Sequence, residues 1–334
     1  MSPPRILLVR FGSIGDVLLT TPLLRAIRER HPEAFIAYLT KSVHLPLVAD
    51  NPRLNEVIAF EPGMSIATVA ERVRAAGFDH RLDLHGNLRT RALRALVPGR
   101  WTGYPKHRVA RTVLIRTKRD IYRDRRHVAE RYFDAAGGLD VRPDGRPPEF
   151  FPSAASVAAA EAWLAGAGLG DQPFVALAPG AAHATKRWPE DRWQALARGL
   201  SERGFGVAVV GGPGDRDVAD SIASATAGAA SAAGRTTLQE TGAVIRRAAA
   251  LVSGDTGVMH MATAVGTGVV ALFGPTVRQF GFFPYSDDAR VVELPLGCRP
   301  CSAMGGPVCP LGHHRCLRDI APQPVMEAVM EIAT

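Results

Sequence analysis

Short apolar runs alternate with stretches of helical period through the first third of the chain. RILLVRF (5–11) reads as a buried strand, and over Asp16–Arg30 the apolar positions Val17, Leu18, Pro22, Leu23, Leu24 and Ile27 recur at helical spacing. FIAYLT, EVIAF, an amphipathic stretch over 66–76 and DHRLDLHG continue the alternation. Strands alternating with helices predict a parallel sheet covered on both faces. Residues 140–153, DVRPDGRPPEFFPS, read as a proline-rich linker. After an alanine-rich helix over Val157–Ala167 the alternation restarts: FVALAPGA, VAVVGGPGD, ALVSGDTG and VVALFGPT each end in glycine, proline or a small polar residue. Such endings place a row of loops on the carboxyl edge of a second parallel sheet, where open α/β sheets bind ligands. The expectation is therefore an α/β chain with two Rossmann-like parallel-sheet domains, 1–150 and 151–322, facing across a cleft. Clefts of this kind are the usual place for chemistry.

Composition narrows the class. The chain has 334 residues, long enough for two cores, with 46% hydrophobic and 22% charged residues, as in soluble globular proteins. Apolar runs such as VVALF are too short to span a bilayer, and MSPPRILLVR lacks the layout of a signal peptide, which reads as cytoplasmic. The net charge of +8 is local: residues 100–131 hold 11 Lys or Arg against 3 acids, and the remainder is neutral. That stretch is either a solvated face or a surface for a phosphorylated or anionic-lipid partner. Its aromatics, Trp101, Tyr104 and Tyr122, form no stacking series, which argues against nucleic acid.

Four segments carry candidate chemistry. FGSIGD (11–16) has two glycines three apart rather than G-x-G-x-x-G, and the second strand ends Leu39-Thr40-Lys41 without a ribose-binding acid. NAD is thereby disfavoured. Asp16 is left as either a helix cap or a carboxylate able to take a proton from a hydroxyl. In APGAAHATKRWPEDRW, Lys186 and Arg187 lie beside a helix start; they either suit a diphosphate or simply enter the helix. SGDTG leads from a strand into a helix, an arrangement that aims backbone N–H groups at phosphate. Thr256 adds a hydroxyl, Gly257 permits close approach, and Asp255 suits sugar hydroxyls better than phosphate. His260, one turn on, is either a satisfied core histidine or a reacting one. Finally, all four cysteines, Cys298, Cys301, Cys309 and Cys316, fall in one Pro/Gly-rich loop as C-x2-C-x7-C-x6-C. A structural zinc or iron is the expectation, with reduced or redox-active thiols as the alternative.

RILLVRFGSIGDVLLTTPLLRAI, DLHGNLRTR, HVAERY, HATKRWPEDRW and SGDTGVMHMATAVGTGVVALFGPT together resemble the ADP-heptose:lipopolysaccharide heptosyltransferase family, glycosyltransferase family 9. The CRPC…CPLGHHRC segment is similar to one in a subset of that family. The resemblance implies a GT-B architecture, inversion at the anomeric carbon, no catalytic metal, and a final helix (323–334) packing back toward the N-terminal domain. It also implies ADP-heptose as donor, a lipopolysaccharide core acceptor, and work at the cytoplasmic face of the inner membrane. Carried over by residue, Asp16 is the general base, with Ser13 in the same loop. Lys186 binds the donor diphosphate, Asp255 the donor sugar, Thr256 and Gly257 cradle phosphate, and Asp215 takes the ribose, with His260 nearby. Arg89, Arg125, Arg126 and His127 would hold the anionic acceptor. Two rivals stand beside this reading: a relative using another nucleotide sugar or a protein acceptor, and a metal-knuckle protein binding nucleic acid.

Overall fold

The computed structural model describes residues 3–333. The chain divides into two compact units, Met1–Lys106 with Arg126–Phe151, and His107–Arg125 with Pro152–Thr334.

The first unit holds a five-stranded sheet of β1 (Arg5–Val9), β2 (Phe35–Lys41), β3 (Glu56–Phe60), β4 (His80–Asp83) and β5 (Trp101–Gly103). All pairs are parallel, in the order β3-β2-β1-β4-β5. Leu7, Val9, Leu39, Ile58, Val73 and Leu93 form one side of its core. Chain order reverses between β1 and β4, so the loops leaving those two strands flank a switch point. The single helix expected over Asp16–Arg30 is two, Ile14–Leu18 and Thr21–Arg30. The hydroxyls of Thr20 and Thr21 turn back onto the carbonyls of Val17 (2.6 Å) and Leu18 (2.7 Å), and Pro22 offers no N–H to continue the ladder.

The stretch expected to be a linker has no regular structure, yet it is tied down along its length. Buried Arg25 grips both oxygens of Asp144 (2.8 and 2.9 Å), and Arg53 grips both of Glu149 (2.7 Å each). It straps the first unit rather than swinging free.

A boundary at 150 misses one excursion. The helix Arg108–Thr117 and the segment after it belong to the second unit: Leu114 and Tyr122 pack with Phe280, Lys118 Nζ donates to the Pro300 carbonyl (2.6 Å), and Gln279 Nε2 donates to Asp120 (3.2 Å).

The second sheet comprises β6 (Phe174–Ala178), β7 (Gly206–Val209), β8 (Ala229–Ser231), β9 (Ala250–Gly254), β10 (Val269–Phe273) and β11 (Ala289–Glu293). Its parallel order, β11-β10-β9-β6-β7-β8, is the dinucleotide-fold order with its switch point between β6 and β9. The final helix, Pro322–Ala333, departs from expectation. Val325, Met326 and Val329 sit in the core of this second unit beside Leu196, Leu200 and Val252, so its apolar stripe is consumed there rather than by the N-terminal domain. Among the described residues no helix is long and apolar enough to cross a membrane.

Candidate active site

At the first switch point the chain leaves β1 through Arg10, Phe11 and Gly12. Gly12 has φ +143°, and a Cβ there would lie 2.4 Å from Nε2 of His44, so only glycine fits. Ser13 then precedes the short helix Ile14–Leu18, and Asp16 is its third residue. Asp16 Oδ2 accepts from the Ser13 N–H (3.2 Å) and hydroxyl (3.0 Å). Its other oxygen, Oδ1, meets Arg10 Nη2 at 2.6 Å and Tyr132 OH at 3.4 Å. One oxygen thus serves the local cap and the other joins an ion pair with buried Arg10 that the sequence did not announce.

Arg10 is itself fixed, donating to the carbonyls of Gly12 (2.9 Å) and Leu84 (2.5 Å), beneath the edge-to-face pair Tyr104–Tyr132. Burial works against the Asp16 charge, but the Arg10 guanidinium and the two Ser13 donors outweigh it and hold the carboxyl below its ordinary value. Burial also opposes the charge on Arg10, and the facing Tyr132, Asp16 and Tyr104 more than restore it. His85 is pushed down to about 4 by burial, with Arg10 and Lys106 adding repulsion, so its ring is neutral. The result is one ionised carboxylate, about a fifth exposed, on a frame of buried partners.

Each expected acceptor residue has contacts of its own. Arg89 is exposed on the helix Leu88–Leu96, after β4, with its guanidinium 5.9 Å from the Phe11 ring and 5.2 Å from that of Phe60. Arg125 pairs with Asp120 (2.6 Å), and Arg126 makes a two-pronged pair with Asp134 (2.9 and 2.8 Å). His127 caps the helix Val128–Arg131, its Nδ1 accepting from the Ala129 N–H (3.1 Å).

At the second switch point the loops after β6 and β9 meet. Lys186 Nζ lies 2.7 Å from Asp255 Oδ2 and donates to the Asp255 carbonyl at 3.0 Å. Thr276 Oγ1 donates to the same carboxylate oxygen (2.6 Å). Gly254 permits this approach, since a Cβ there would press on the Lys186 carbonyl at 3.0 Å. Thr256 occupies the cap position of the helix Gly257–Val265, its hydroxyl 3.1 Å from Ser253 Oγ, and Gly257 opens the helix. His260 is buried one turn in. Asp215, after β7, accepts from the Gly212 N–H (2.9 Å) and fills the space over Gly180, where a Cβ would collide with its carboxyl carbon. Lys186, Asp255, Thr256, Gly257 and Asp215 therefore share one sheet edge, with the start of the helix Gly257–Val265 beside a cation. Such an edge suits a nucleotide diphosphate.

The cysteine loop gathers its sulfurs without closing them on one another. All four cysteines are free thiols, and among the described residues no three His, Cys, Asp or Glu side chains converge as a metal ligand set. Burial, then the neighbouring sulfurs, push the Cys316 thiol up to about 11 and raise Cys301 as well.

The family model of glycosyltransferase family 9 (heptosyltransferase) matches residues 66–310. This chain belongs to that family. A curated relative, lipopolysaccharide heptosyltransferase 2 of Salmonella typhimurium, is 28% identical over 97% of each chain. Among solved structures, a family 9 glycosyltransferase of Veillonella parvula superposes with a TM-score of 0.83 at 24% identity, covering 100% of this chain and 98% of that one. The E. coli ADP-heptose lps heptosyltransferase II superposes at 0.75, with 24% identity over 98% of each. The two parallel sheets are thus those of a GT-B glycosyltransferase, and this family 9 member is a transferase enzyme. Sequence reasoning missed Arg10 and Tyr104 as parts of its Asp16 site. Tyr132 lay in a quoted motif, HVAERY, without a role. No spacing rule links residues 10, 16, 104 and 132; only the packing of loops and helices around the sheet does.

Proposed function

We propose that this glycosyltransferase moves a heptose from ADP-heptose to the inner core of lipopolysaccharide, with inversion at the anomeric carbon. The names of the Salmonella and E. coli relatives support donor and acceptor class. The acceptor hydroxyl oxygen forms a bond to the anomeric carbon while Asp16 takes its proton. The bond from that carbon to the diphosphate oxygen breaks, and ADP leaves with the electron pair. Lys186, Thr256 and the first amides of the helix Gly257–Val265 accept the charge that develops on the leaving group. Asp255 and Asp215 take sugar and ribose hydroxyls.

The observation that carries the reading is the state of Asp16: an ionised carboxylate with one oxygen committed to its own helix and the other presented beside Arg10. Such a group is a weak base toward a free alcohol. It becomes adequate as the hydroxyl acidifies on bonding to the anomeric carbon.

Incubating the protein with ADP-heptose and heptose-deficient lipopolysaccharide, and reading ADP release, tests the proposal. Turnover that Asp16→Asn abolishes supports it. Turnover only with another nucleotide sugar, or only with a protein acceptor, overturns the substrate assignment. Arg89, Arg125, Arg126 and His127 are proposed acceptor contacts, the paired arginines engaging phosphate by exchanging their carboxylates. The cysteine loop carries no step here. A zinc or iron ion would require the loop to draw its thiols together, and elemental analysis showing one equivalent per chain would support a structural ion.

A further inference from the structure

The cysteine loop, residues 298–316, reaches both members of the Lys186–Asp255 pair through one intermediate residue each. On the lysine side, buried Thr185 is held from both directions. Its N–H and hydroxyl donate to the Gly306 carbonyl (3.1 Å each), the Gly306 N–H donates back to its Oγ1 (2.8 Å), and the His314 ring nitrogen Nε2 lies 3.0 Å from its carbonyl. Gly305 completes the contact. It has φ +95°, and a Cβ there would stand 2.9 Å from His183 Cβ and 3.2 Å from Lys186 Cγ. On the aspartate side, Arg299 Nη2 donates to the Thr276 carbonyl (2.8 Å), and the Thr276 hydroxyl donates to Asp255. The Cys301 N–H donates to the adjacent Pro275 carbonyl (3.2 Å).

We infer that this loop is the positioning element for the donor-side lysine, with Thr185 as the residue through which it acts. The inference rests on the reading of Lys186 as a diphosphate ligand. The turn Ala184–Lys186 is a single 3-10 turn with few bonds of its own, so a long lysine stem at its end has many rotamers to lose on binding phosphate. Bonds from Gly306 and His314 fix the Thr185 backbone from which that stem rises, and Gly305 lays a flat wall along the stem that limits its rotamers. Preorganisation of this kind appears as affinity. A loop rich in cysteine, glycine and proline thus serves the lysine through Thr185.

The test uses the full-length protein and ADP as the probe. Thr185→Val keeps the buried shape and removes the hydroxyl; Thr185→Ser restores it; Gly305→Ala intrudes on the lysine stem; Lys186→Met reports the lysine itself. Calorimetry gives ADP affinity, hydrogen exchange of the 183–187 segment reports the staple without ligand, and melting confirms the fold. The expected result is faster exchange at 183–187 and about tenfold weaker ADP binding in Thr185→Val, the worth of one buried hydrogen-bonded group, with Thr185→Ser close to the parent. The donor KM rises in step while the acceptor KM holds. Unchanged exchange in both Thr185→Val and Gly305→Ala overturns the staple. Faster exchange with parental ADP affinity, while Lys186→Met binds weakly, overturns the positioning role. Parental ADP affinity in Lys186→Met itself sinks the diphosphate reading, and this inference falls with it.

Discussion

Arg10 Nη2 and Asp16 Oδ1 stand 2.6 Å apart, and the guanidinium of that pair is 7% exposed against 19% for the carboxylate. The cation is therefore part of the interior and the anion its outlet to the surface. An arginine so placed does not titrate and cannot leave, which makes the charge on Asp16 a fixed property of the fold.

The pH dependence follows from that sign. The Asp16 carboxyl is held below the ordinary aspartate value of 3.8, so the charged form persists until the solution is more acidic than that. Its contribution to stability is fully present above the unfolded value and is lost as pH falls through the folded one. The kcat/KM profile for sugar transfer should show no acid limb from this group between pH 5 and 8. An acid limb near pH 6 in the parent protein would contradict the pairing.

Replacing the cation tests the pair from the other side. Arg10→Met leaves a partly buried carboxylate with only the Ser13 donors and the distant Tyr132 hydroxyl, and loss of one partner of a buried pair costs about 3 kcal/mol. The melting temperature should fall, and the acid limb should move to higher pH as desolvation goes unopposed. Arg10→Lys should restore part of both. A variant melting like the parent would show that the pair contributes nothing net.

Asp255→Asn separates binding from turnover. The native carboxylate neutralises Lys186 and opposes phosphate charge, so its removal frees the lysine. ADP should bind at least as tightly as to the parent by calorimetry, while kcat with ADP-heptose falls at least tenfold through loss of a sugar contact. Weaker ADP binding would mean that the aspartate chiefly holds the lysine in place.

The basic excursion invites a membrane test. The helix Arg108–Thr117 carries Arg108, Arg111 and Arg116, and Val109 on it is 74% exposed. Basic residues near an anionic surface contribute about 1 kcal/mol each, with strong salt dependence. Sedimentation with vesicles containing anionic lipid should show binding that is lost on raising salt and weakened by Arg111→Glu with Arg116→Glu. Equal partitioning to neutral vesicles would rule out the electrostatic mode.

The α/β alternation, eight of the eleven strands and the glycine-marked loops on each carboxyl edge were legible from period and punctuation, because strand and helix patterns are local; the edge strands Trp101–Gly103, Ala229–Ser231 and Ala289–Glu293 were not. Helix ends were less so: Thr20 and Thr21 break one expected helix by hydroxyl bonds whose choice of carbonyl depends on packing. The amphipathic stripe of the final helix was visible, but its destination was not, since an apolar face carries no address.

The candidate site divides along the same line. Residue type and spacing alone singled out Asp16, Lys186, Asp255, Thr256 and Gly257, because chemistry at a strand-to-helix turn uses neighbours in the chain. Tertiary structure alone decided that Asp16 is tethered to Arg10 and Tyr132, that Arg125 and Arg126 are already paired, and that the cysteine loop grips Thr185. Those contacts join residues up to 121 positions apart. Their cause is sheet order and loop packing, which exist only once distant strands have paired.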